Sequence, residues 1–172
     1  MGLMSFIKSA GEKLFHHKDA EAAHTAAAAA PDDATLKANA DAANETASQA
    51  IVSYIRAQPL DANALDVAFD GATGTVNVYG VAADQETKEK ILLCCGNVTG
   101  VGQVNDKMEV EEPADESTYH TVVSGDTLSK IAKEAYGNAN KYQGIFEANK
   151  PMLSHPDKIY PGQVLRIPPL DE

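Results

Sequence analysis

The seven residues Glu111-Glu112-Pro113-Ala114-Asp115-Glu116-Ser117 carry no apolar pattern, and their four acids and one proline are the composition of a linker. They constrain the fold more than any other feature, because hydrophobic patterning stops at them and resumes beyond them. In a chain of 172 residues this leaves two small units rather than one large core.

Downstream, residues 119–123 alternate as a strand and Ser124-Gly125-Asp126 turns the chain. Leu128, Ile131, Ala132 and Ala135 then recur at helical spacing, with Asp126 placed as an N-cap. A second helix is expected over 141–149 with Tyr142, Ile145 and Phe146 inside, and Pro161-Gly162 leads to a closing strand containing Val164, Leu165 and Ile167. The order is strand-helix-helix-strand.

Upstream, residues 50–111 read as helix-strand-strand-helix-strand. Ile51, Val52, Tyr54 and Ile55 form the apolar face of a helix that must end before Pro59. Leu65, Val67 and Phe69 alternate with polar residues, Asp70-Gly71-Ala72-Thr73-Gly74 turns, and Val76, Val78 and Val81 alternate again, which is a β-hairpin. Asp84 is placed to cap a helix that buries Ile91, Leu92 and Cys95 and ends at Gly96, before a third strand over 104–110. The fold class is therefore α+β in two small domains.

Two segments precede these units. In residues 1–17, Leu3, Phe6, Ile7, Ala10 and Leu14 stand at helical spacing, which predicts a short amphipathic helix with a break near Gly11. Residues 18–49 are rich in alanine, with Pro31 stopping one helical stretch and Asp32 or Asp33 able to cap another; they read as a partly helical spacer. His16, His17 and His24 do not converge on one metal at these spacings and are expected to be solvated.

Charge and cysteine content exclude several functions. The formal charge is −11, and residues 1–118 carry all of the excess, with eight basic against nineteen acidic side chains. Nucleic acid is not an expected partner, since phosphate binding needs a basic face, and an anionic membrane would repel the chain. Such a field does concentrate cations. The two cysteines, Cys94 and Cys95, are adjacent and cannot staple distant segments. Lys8, Glu12 and Lys13 interrupt the first residues before a secretory apolar run can form, so a cytoplasmic location is expected. No EF-hand loop, zinc-protease, nucleophile-elbow or P-loop motif occurs, and no enzyme is expected.

The blocks Tyr119-His120-Thr121-Val122-Val123-Ser124-Gly125-Asp126-Thr127-Leu128-Ser129-Lys130-Ile131-Ala132, Phe146-Glu147-Ala148-Asn149 and Ile159-Tyr160-Pro161-Gly162-Gln163-Val164-Leu165-Arg166-Ile167-Pro168 resemble a LysM domain. Residues 50–111, with the hairpin, Gly80 and Val98-Thr99-Gly100-Val101-Gly102-Gln103-Val104, resemble a BON domain. Together with the N-terminal Met-Gly-Leu and Ser-Ala-Gly-Glu-Lys-Leu segments, this order is similar to the bacterial cytoplasmic BON/LysM potassium-binding family. The resemblance implies a potassium sensor or buffer, expected as a monomer, that becomes more compact on binding and helps cells withstand high potassium. It also implies that K+ is held by the main-chain carbonyls of Ile7, Lys8, Ala10, Gly96, Val98 and Val101.

The residues themselves lend this location some support. The last carbonyls of a helix ending at Gly96 lack helical partners and carry partial negative charge, and Gly96 and Gly100 allow the loop to curl, with a left-handed conformation expected after the helix. Carbonyl rings that replace a hydration shell are also how channels select potassium. The rival function is carbohydrate binding, of the peptidoglycan or N-acetylglucosamine type that LysM domains hold. Its groove would fall at Gly125, Asp126, Thr127 and Leu128 with Met152, Leu153 and Ile159.

Overall fold

The computed structural model describes residues 2–170 and has an α+β architecture with two hydrophobic cores. The first unit contains β1 (Leu3–Ser5), α1 (His17–Ala29), α2 (Ala34–Ala57), β2 (Asn63–Asp70), β3 (Thr75–Asp84), α3 (Gln85–Gly96) and β4 (Gln103–Glu112). Its sheet runs in the order β1-β4-β3-β2. The expected hairpin is β2–β3, closed at Asp70 opposite Thr75, and α3 crosses over to set β4 parallel to β3. Asp84 caps α3 as expected, its carboxylate accepting from Thr87 N–H at 2.7 Å. Val67, Phe69, Val76, Val78, Val104 and Met108 turn their side chains to one face of the sheet, where Ile51, Ile55, Ile91 and Leu92 of the helices cover them.

The expected N-terminal helix does not form. Residues 3–5 are instead an edge strand, antiparallel to β4 with Leu3 opposite Asn105 and Ser5 opposite Gln103. A helix this short gains few hydrogen bonds for its nucleation cost, whereas the open edge of β4 offers the same backbone groups partners already in place. The apolar residues consequently part company: Phe6 is buried, while Leu3 and Ile7 are exposed.

The alanine-rich region is more ordered than a spacer. Asp33 caps α2 by accepting from Thr35 and Leu36 N–H, and α2 continues without a break through residue 49 into the apolar segment. Ala40, Ala47, Ile51 and Ile55 share its buried face, so the small side chains extend the same docking stripe. The histidines are not all solvated. His17 and His24 are half-buried, and His24 Nε2 lies 2.8 Å from Asn44 Oδ1, which also accepts from Gly71 N–H in the hairpin turn.

The second unit is strand-helix-helix-strand: β5 (Thr118–Thr121), α4 (Leu128–Tyr136), a single 3-10 turn, α5 (Tyr142–Ala148) and β6 (Val164–Ile167), with β5 and β6 antiparallel. Its core joins Val122, Leu128, Ile131, Ile145, Leu153, Leu165 and Ile167. Thr127, not Asp126, caps α4 by accepting from Lys130 N–H. Asp126 instead accepts from Val123 N–H and pairs with His120, because it stands one residue too early to reach the free helical N–H groups.

All four residues of β6 are buried, and the strand's alternation explains why. Leu165 and Ile167 face the second core, whereas Val164 joins the first core and Arg166 pairs with Glu89 of α3. β6 is therefore the element on which the two units meet. The linker is also pinned, since Ser117 N–H donates to Glu89 Oε1 at 2.9 Å.

Candidate functional site

The backbone of residues 6–12 is laced onto the loop that joins α3 to β4. Phe6 N–H donates to Gly102 O, Gly100 N–H to Lys8 O at 2.7 Å, Glu12 N–H to Asn97 O and Thr99 N–H to Glu12 O. Thr99 Oγ1 adds a bond to Gly11 O at 3.0 Å. Two segments some ninety positions apart in the sequence thus share one small region, and all six residues expected to contribute carbonyls lie in it.

These six carbonyls are not equivalent. Lys8 O accepts from Gly100 N–H, Ile7 O from Ala10 N–H and Val98 O from Val101 N–H. Among the described residues, no main-chain or side-chain donor is bonded to the carbonyls of Ala10, Gly96 or Val101. A carbonyl oxygen has two lone pairs, so the first three retain acceptor capacity and the last three retain all of it.

Glycines make the close approach possible. Gly11 has φ +106°, and a Cβ there would stand 2.3 Å from Asn97 O. At Gly100, with φ +103°, a Cβ would strike His17 of α1. Gly96 does not take the expected left-handed conformation: it is the last residue of α3, and its lack of a side chain admits the Phe6 ring, which a Cβ would meet at 2.0 Å. Lys8 lays its stem across Gly74 and directs its ammonium outward, 3.9 Å from Glu21 of α1.

The second unit borders the same place. A Cβ at Gly162 would lie 2.7 Å from Ala10 Cβ, so the turn before β6 rests on the N-terminal segment. Beside it a cavity of about 210 Å³ opens between the units, with Glu12, Tyr54, Asn97 and Tyr160 on its wall. Burial pushes the Tyr160 hydroxyl up to about 12, and the Glu12 carboxylate adds to that shift. Cys94, also on the wall, is likewise pushed up to about 12 by burial, which keeps it a neutral thiol. Among the described residues, no three His, Cys, Asp or Glu side chains converge as metal ligands. The region offers a cation main-chain oxygens and, beside them, the single carboxylate of Glu12.

The carbohydrate residues are distributed differently. Gly125 and Thr127 are exposed and Asp126 is tied to His120 and Val123. Leu128 and Leu153 are buried in the second core, Ile159 is half-buried against it, and Met152 packs against the first core. The Met152 side of that groove therefore belongs to the junction between the units.

Sequence reasoning missed Asn97, whose side chain reaches Val164, and Phe6, whose ring fills the space over Gly96. The Gly96-Asn97 pair reads locally as an ordinary helix ending. No helix of the described residues is long and apolar enough to cross a membrane.

Comparison with known proteins bears on both units. Residues 120–168 match the LysM domain family. An uncharacterized protein of Deinococcus radiodurans is 35% identical over 132 residues, which cover 70% of this chain and 51% of that protein. The potassium binding protein Kbp of Escherichia coli O6:H1 is 44% identical over 174 aligned positions, covering 98% of this chain and 99% of that protein. Identity at that level across both units and the laced N-terminal segment shows that the chain belongs to the family of the potassium binding protein Kbp.

Proposed function

We propose that the chain binds K+ through the main-chain carbonyls of Ile7, Lys8, Ala10, Gly96, Val98 and Val101, and that it works as a cytoplasmic potassium sensor or buffer rather than as an enzyme. The observation that carries this reading is the lacing of residues 6–12 onto residues 97–102, which gathers carbonyl-bearing residues from two distant segments. The name of the Escherichia coli relative, a potassium binding protein, agrees with it.

The chemistry favours a large monovalent ion. Neutral carbonyl oxygens can replace a weakly held hydration shell, whereas Mg2+ and Ca2+ are better served by carboxylates, which do not converge here. The net charge of −11 raises the local cation concentration without selecting among cations, so selectivity falls to the carbonyl arrangement. The ion would bind the docked form of the two units better than an undocked form, which makes the molecule more compact in potassium.

Titration calorimetry of the full chain with KCl, against NaCl, MgCl2 and chitin oligomers, tests the reading. A saturable heat for K+ with little for Na+ and Mg2+ is expected. Equal responses to Na+ and K+ would overturn it, and a saturable response to chitin oligomers alone would return the function to the second unit.

A further inference from the structure

One side chain ties the loop of the candidate site to the second unit. Asn97 stands between Gly96 and Val98, and its main chain is held on both sides: N–H donates to Leu93 O and C=O accepts from Glu12 N–H, each at 2.9 Å. Its amide crosses the boundary. Oδ1 accepts from Val164 N–H and Nδ2 donates to Val164 O, both at 2.9 Å. Val164 is the first residue of β6 and is buried, so this single amide satisfies both of its main-chain polar groups.

Among the described residues, the other polar ties across the boundary lie elsewhere on α3. Glu89 pairs with Arg166 and accepts from Ser117 N–H, and neither bond involves residues 96–102. The two sets of contacts can therefore be separated by mutation.

We infer that Asn97 is the positioning residue that couples ion occupancy of the loop to docking of the second unit. This rests on the carbonyl reading given above. The carbonyl of Gly96 lies in the peptide plane that carries the Asn97 nitrogen, and the following plane is held by Glu12 of the N-terminal segment. An ion that orients the Gly96 carbonyl fixes the plane before Asn97, while Glu12 of the same N-terminal segment holds the plane after it, and together they set the direction of Cβ. The paired bonds to Val164 weaken steeply away from their distance and angle, so fixing that direction favours docking. By linkage the effect is reciprocal: docking strengthens K+ binding by the same factor that K+ strengthens docking.

Small-angle scattering and calorimetry on the full chain, in KCl and in NaCl at matched ionic strength, test the coupling with two variants. Asn97→Ala should still bind K+, but about fivefold or more weakly, the low end of usual coupling factors. Its compaction in K+ relative to Na+ should be much smaller than that of the wild type, the contact of Gly162 with Ala10 and Ile7 being retained. Arg166→Met combined with Glu89→Gln removes the ion pair without stranding a buried charge. That variant should dock less in both salts yet remain more compact in K+ than in Na+. Should Asn97→Ala fail to fold, Asn97→Asp keeps the acceptor for Val164 N–H but sets a carboxylate against Val164 O, and the same loss of K+-dependent compaction is expected.

Compaction of either Asn97 variant in K+ to the wild-type extent would overturn the inference. So would loss of the K+ response in the ion-pair variant to the same degree as in Asn97→Ala. If the wild type gives no K+ heat, the carbonyl reading fails first and the coupling falls with it; if it gives heat but no compaction, only the coupling fails.

Discussion

The side-chain amide of Asn97 forms a two-bond pair with the main chain of Val164, 67 residues further along, at 2.9 Å for each bond. Because Asn97 also receives Glu12 N–H on its own carbonyl, the N-terminal segment, the end of α3 and the first residue of β6 meet at one residue. Predictions about the ion, the segment and the docking of the two units follow from that meeting.

Deleting residues 1–11 should abolish K+ binding, because the segment supplies three of the six proposed carbonyls. The deletion also removes β1 from the edge of β4 and the Phe6 ring from Gly96, so the first unit should melt at lower temperature while the second core is retained. Calorimetry and thermal unfolding of the truncated chain check this, and undiminished K+ affinity would contradict it.

Gly96→Ala should destabilise by about 1–3 kcal/mol through overpacking, since its Cβ would stand 2.0 Å from the nearest Phe6 ring atom. Combining it with Phe6→Leu should recover part of the loss. Thermal or urea unfolding of the two single variants and the double variant measures the coupling, expected at about 0.5–3 kcal/mol for residues in direct contact.

Lys8→Ala should keep most K+ affinity. The proposed ligand is the Lys8 main-chain oxygen, and the ammonium already points away toward Glu21. A tenfold or greater loss in calorimetry would instead give the side chain a role.

Much of the fold was legible because its signals are local. The alternation of Val67 and Phe69 with Val76 and Val78, and the Asp84 cap, each sit within a few residues of what they determine. The N-terminal strand was not. Leu3, Phe6 and Ile7 fit a helical stripe equally well, and the partner that decided the matter, Asn105, lies about a hundred residues away. Gly96 misled for a related reason: a glycine closing a helix usually supplies a left-handed cap, and only the fold brings the Phe6 ring over it. Asn97 carries no local mark of its reach to Val164. The six proposed carbonyls came from family resemblance, since main-chain ligands leave no side-chain signature.

Folding stability should fall in acid through Glu89. Burial raises its pKa, but hydrogen bonds from Gln85, Ser117 and Arg166 outweigh that and hold the carboxyl below its ordinary value. The charged form therefore stabilises the folded state fully above the unfolded value of about 4.3, and this contribution is lost as pH falls through the lower folded value. Glu89→Gln should remove that part of the acid limb in a scattering or thermal-stability profile. An unchanged profile would contradict the assignment.

The most direct test of carbonyl ligation is the 13C chemical shift of the main-chain carbonyls during a K+ titration of the labelled full chain. The carbons of Ile7, Lys8, Ala10, Gly96, Val98 and Val101 should shift together and saturate with K+, with small changes in Na+ at the same ionic strength. Saturable shifts confined to side-chain carboxylates such as that of Glu12, with those six carbons unmoved, would contradict the account.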